Sequence, residues 1–163
     1  MDNALAEWTD FNVAIAGAGA ALAGLLIVAM SVNITAILNT ATLPARAGAS
    51  IGALTLGLAA ACLGLIPDQP AWLLGLEILA GVVLLSLLEW FAVRAILREE
   101  GQRAFARVMK VVVGILPPAA FTAGAVLLLA SADAGYVWVA AGSILAIVGA
   151  VLFSWIALVE ILR

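Results

Sequence analysis

The chain has 163 residues, 66% of them hydrophobic and 10% charged, with a formal net charge of −3 and a mean hydropathy of +1.25. An ordinary globular domain is about 45–50% apolar, and a soluble fold of this size needs more polar surface to cover one core, which excludes water-soluble enzymes and nucleic-acid-binding modules. Histidine is absent and Cys62 is the single cysteine. Intrachain disulfides, His/Cys zinc sites and nucleophilic sites that need a histidine base are therefore excluded, and neither an enzyme nor a cofactor is expected.

A helix crosses a hydrocarbon layer of about 30 Å with about 20 mainly apolar residues, and five stretches reach that length: 11–38, 47–66, 72–97, 108–130 and 136–162. The expected fold is an all-α integral membrane protein, a five-helix bundle forming a single membrane domain. The first stretch is read as a mature helix and not a signal peptide, because Asp2, Glu7 and Asp10 flank it in place of basic residues. All seven basic residues (Arg46, Arg94, Arg98, Arg103, Arg107, Lys110, Arg163) fall at the first connection, the third connection and the C-terminus. Five spans put these three places on one side, cytoplasmic by the positive-inside rule, so the N-terminus is expected outside and the C-terminus inside. Trp8, Trp72, Tyr136 and Trp138 mark the outer interface, and Trp90 and Trp155 the inner one. The bacterial plasma (inner) membrane is the expected location.

In chain order, the first helix carries a small-residue stripe, Gly17, Gly24 and Ser31, recurring every seven positions and suited to close packing or to facing a pore. Asn33, near its cytoplasmic end, reads as an interfacial amide. The second helix has Gly48 and Gly52 in GxxxG spacing, and Cys62 reads as a buried apolar filler. On the third helix Glu77 lies roughly 7 Å deeper than Trp72, and no basic residue shares its side of the membrane. It is expected to face a polar cavity or a subunit interface. Glu89, about 120° around the same helix, must look to another helix for a partner, with Arg46, Arg107 and Lys110 at its level.

Pro117 and Pro118 interrupt the fourth helix, which predicts a kink and releases the carbonyls of Val113 and Gly114. Ser86 and Glu89 sit at a comparable depth, so a cation or proton site there is the sharper alternative to simple packing. Arg103, Arg107 and Lys110 share one helical face and are expected to meet anionic lipid headgroups. Gly142, Ala146, Gly149 and Ala150 bring small residues to the fifth helix.

The opening Trp8-Thr-Asp10-Phe11-Asn-Val13, running through Gly17 and Gly24 to Ser31-Val-Asn33, resembles a set of uncharacterised small multipass bacterial membrane proteins, some labelled as modulators of the FtsH protease. The resemblance covers about 30 residues and implies no site residues. Without a soluble domain, and with Gly/Ala faces and an intramembrane Glu77, the expected function is a homo-oligomeric channel or pore for an ion or small solute. The alternative is an accessory or regulatory subunit docked on other membrane subunits.

Overall fold

The structure, a computed structural model, describes residues 7–40, 42–98 and 104–161. It contains α1 (Thr9–Val32), a single short α2 (Ile34–Leu38), α3 (Leu43–Leu63), α4 (Ala71–Arg98), α5 (Ala104–Leu129) and α6 (Ala134–Ile161). Five of these are long and apolar enough to cross a membrane, and they correspond to the five expected stretches.

Three boundaries differ from the sequence expectation. The first stretch breaks at Asn33, whose side-chain amide donates to the Ala29 carbonyl at 2.9 Å while its backbone N–H bonds Met30 three residues back. This local pairing competes with the regular helical ladder. The second helix begins at Leu43, four residues ahead of expectation, because Pro44 fits the first helical turn, where its missing N–H costs nothing. That extension carries Arg46 inside the helix and buries it. The third difference lies at the basic end, where α5 begins at Ala104.

Helix α3 is the centre of the bundle. Half of its apolar window is buried, against 17% for α1, and it packs on α1, α4 and α6. Small residues make this crowding possible: Ala49, Ala53, Gly57, Ala60 and Gly64 recur at steps of three and four and form one thin face. The fully buried Phe121 of α5 fills the space in front of it, its ring 3.6 Å from where a Gly57 Cβ would stand. Around Phe121 gather Leu74, Ile78, Val82 and Leu85 of α4 and Ala146 of α6.

The backbones of α5 and α6 approach closely. Ser131 takes a left-handed φ of 58° after the end of α5, with Ala132 N–H bonded to Leu127 O at 2.9 Å and Ser131 N–H to Leu128 O at 3.0 Å. This pairing closes the helix with a Schellman cap and folds α6 back along α5. A Cβ on Gly124 would lie 2.9 Å from the Val139 backbone nitrogen, and one on Gly135 2.8 Å from the Leu128 nitrogen. By contrast, nothing lies within 4 Å of a Cβ placed on Gly17 or Gly24.

Gly124→Ala is expected to lower stability in detergent by about 1–3 kcal/mol, the range for overpacking a filled contact. Gly17→Ala is expected to be neutral or slightly stabilising, since Ala is the better helix former and meets no neighbour. Thermal melting of the two purified variants reads the difference.

Candidate functional site

Charged side chains converge at the basic end of the bundle, between α3, α4, α5 and α6. A cavity of about 50 Å³ opens there, lined by Arg46 and Ser50 of α3, Glu89 of α4, Lys110 and Gly114 of α5, and Phe153 of α6, among others. Water needs roughly 10–15 Å³ of such space per molecule, so the cavity holds about four water-sized groups.

Each helix delivers its residue for a local reason. Arg46 is 9% exposed and lies over the Phe153 ring, 5.5 Å from its centroid. That contact gives the guanidinium a π face within an apolar neighbourhood. Glu89 is 8% exposed, and it reaches α5 because position 114 is glycine: a Cβ there would sit 2.9 Å from Glu89 Oε2. Among the described residues the Glu89 carboxylate makes no hydrogen bond or ion pair. One turn further along α5, Pro117 and Pro118 are buried within the helix. Lacking N–H groups, they leave the carbonyls of Val113 and Gly114 without their helical donors, and both residues line the cavity. The site thus joins a carboxylate, and two α5 residues whose carbonyls have lost their helical donors, to two cationic side chains.

At the opposite, acidic end, the half-buried Glu77 accepts a hydrogen bond from Gln69 Nε2. Gln69 is buried in the α3–α4 connection. It follows Asp68, whose left-handed φ of 56° after Pro67 turns the chain back toward α4. Glu77 is therefore hydrogen-bonded to a loop amide of its own chain. A second, smaller cavity of about 10 Å³ lies at this end, lined by Asn12, Ala60, Gly64 and Tyr136 among others. Trp8 also lines it, its ring packed against Phe11 and Tyr136 at 5.7 and 6.3 Å.

Of the residues singled out from sequence, the structure brings Glu89, Arg46, Lys110 and Pro117 to one cavity. Ser86 is not part of it: its side chain is exposed, and its hydroxyl donates to Val82 O at 2.8 Å. The Gly17, Gly24 and Ser31 stripe points away from the bundle within the protomer. The buried α1 residues are Ile15, Gly19 and Leu26, and two positions from each of them is about 200° around the helix. Asn33 is half-buried and serves its own helix. Cys62 is exposed, contrary to its reading as buried filler.

Gly48 and Gly52 line an apolar groove of about 430 Å³ between α3 and α4. Arg107 is half-buried and Arg103 lies outside the described residues. The residue that sequence reasoning missed is Gln69; Arg46, placed at the level of Glu89 from sequence, lies buried within α3 and not in the connection before it. The Pro44 start signal marks Arg46 as helical, but nothing in the local sequence marks Gln69 as the partner of Glu77. No family model, curated protein or solved structure matches the chain.

Glu77→Ala is expected to cost about 1–3 kcal/mol, because it strips the buried Gln69 amide of its acceptor. The Oε1 atom of Gln69 already has no hydrogen-bond partner among the described residues. Glu77→Gln keeps an acceptor and is expected to lose less than about 1 kcal/mol. Equal thermal stability of the two variants would show that the pair contributes nothing.

Proposed function

We propose that the chain crosses the plasma (inner) membrane five times, N-terminus outside, and provides a passage for an ion or small solute with the Glu89 cavity as its cytoplasmic vestibule. The orientation rests on the segregation of Lys and Arg, and it sets Arg107 and Lys110 at the level of anionic headgroups. The observation that carries the passage reading is the pair of cavities along one thin face of α3. Arg46, Ser50 and Ala53 line the inner cavity, and Ala60 and Gly64 the outer one. Ala53 and Ala60 are about 10 Å apart along the helix, and the Phe121 ring stands between them at Gly57.

A buried carboxylate and two cations inside an apolar bundle are costly to maintain and characteristically lie along substrate or ion paths. On this reading the path runs through the protomer, and Phe121 is the constriction that holds it closed. Assembly into a homo-oligomer is a separate matter. The outward Gly17, Gly24 and Ser31 face of α1 favours a second reading, an accessory subunit docked on another membrane protein, because small residues let helix backbones approach closely. Co-purification of a stoichiometric partner together with an absence of flux is the result that selects it.

In proteoliposomes, Phe121→Leu and Phe121→Ala are expected to raise the flux of small ions or solutes about tenfold or more over the parent. The milder variant guards against the loss of about 3–5 kcal/mol expected for Phe→Ala in a core. Thiol labelling of Phe105→Cys and Asp133→Cys in a Cys62→Ala background checks that the basic and acidic ends lie on opposite sides. No flux from parent or either variant, with folding intact, overturns the passage.

A further inference from the structure

The inner cavity is chemically two-sided. Glu89 lines it from α4, and Val113 and Gly114, whose carbonyls lose their helical donors to Pro117 and Pro118, line it from α5, while Arg46 and Lys110 bring positive charge from α3 and α5. A bare metal cation meets the two positive side chains, and a simple anion meets the carboxylate and the carbonyls. A primary ammonium has three N–H donors, and it suits one carboxylate and two carbonyls. An anionic oxygen a few atoms away suits a guanidinium and an ammonium.

The cavity of about 50 Å³ accommodates about four water-sized groups. That is enough for an ammonium, one or two carbons and a carboxylate or phosphate oxygen. A trimethylated ammonium cannot donate and is too bulky. Glu89 as a residue is 8% exposed, lines this cavity, and its carboxylate has no hydrogen-bond or ion-pair partner among the described residues.

We propose that the cavity bounded by Glu89, Gly114, Arg46 and Lys110 binds a small zwitterion, its primary ammonium on Glu89 and its anionic group toward Arg46 and Lys110. The biological purpose of the site rests on the passage reading, with the zwitterion as the solute, while its chemistry does not. The same chemistry is offered by a free amino-acid-like solute and by an ethanolamine phospholipid headgroup entering from the adjacent leaflet.

The test uses the full chain in nanodiscs of phosphatidylglycerol and phosphatidylcholine, with glycine and O-phosphoethanolamine as soluble probes and their trimethylated counterparts, betaine and phosphocholine, as controls. Calorimetry is expected to show saturable binding of at least one primary-ammonium probe, weakened tenfold or more by trimethylation and by Glu89→Gln. Gly114→Ala serves as a second variant should Glu89→Gln not fold, because its methyl lies 2.9 Å from Oε2 and displaces the carboxyl group without touching its charge. It is expected to weaken binding similarly.

Repeating the measurement in nanodiscs containing phosphatidylethanolamine separates the sources. Loss of soluble-probe binding, with one such lipid retained per protomer in native mass spectrometry, assigns the site to the headgroup. Unchanged binding assigns it to the free solute. The proposal is overturned if neither probe nor lipid binds, or if the folded variants bind as the parent does. Binding without flux in the liposome assay overturns the passage and leaves the site standing, whereas flux without binding does the reverse.

Discussion

The thinness of α3 is the constraint on which the other arrangements depend. A helix surrounded by α1, α4 and α6 must offer little side-chain volume on the faces it shares, and α3 does so with Ala49, Ala53, Gly57, Ala60 and Gly64. In an apolar medium helices gain little by hiding greasy surface from one another, so close van der Waals packing supplies much of the association energy. Phe121 exploits this: the space given up by Gly57 and Gly142 is filled by one ring that is fully buried. The same thin face leaves gaps above and below the ring, and these gaps are the two cavities.

The inner gap is polar because two further sequence choices meet there. Pro117 and Pro118 remove amide donors from α5, and Gly114 removes the side chain that would keep a carboxylate at a distance. Either change alone would do less. Prolines without the glycine would leave free carbonyls facing a blocked space, and the glycine without the prolines would bring Glu89 against a fully satisfied helix. Together they give the carboxylate a cavity with acceptors of its own kind, where a donor-rich group or water satisfies the unpaired oxygens.

Much of the fold was legible in the sequence. Span number and approximate position follow from apolar length, a signal that survives almost any packing arrangement. Which small residues face inward was not legible, since each of the five long helices carries several Gly and Ala residues, and the face is decided by neighbours far away in sequence. The Gly17, Gly24, Ser31 stripe was the most regular and turned outward, while close backbone contacts formed at Gly124 and Gly135, two isolated glycines flanking a turn. That Glu89 and α5 stand at one depth was legible because depth can be counted from helix ends. Ser86 matched that depth too, but helical rotation turned it away and its hydroxyl found Val82.

The two acidic residues of α4 show how similar sequence signals separate in the fold. Both lie in one apolar helix, and both appeared to need a partner. Glu77 finds Gln69 because the α3–α4 connection is short and its Pro67-Asp68 turn carries a buried amide back over the helix. That contact is local, eight residues along the chain, and completes a loop. Glu89 has no comparable loop within reach, and its surroundings come from three other helices, each contributing a group whose position depends on the packing of the whole bundle. A carboxylate satisfied by its own connection is structural chemistry, bounded by the amide it holds. A carboxylate held by global packing, beside two cations and facing space, retains hydrogen-bonding capacity that the described residues leave unused, and that difference makes the inner end of the bundle the place to seek a ligand.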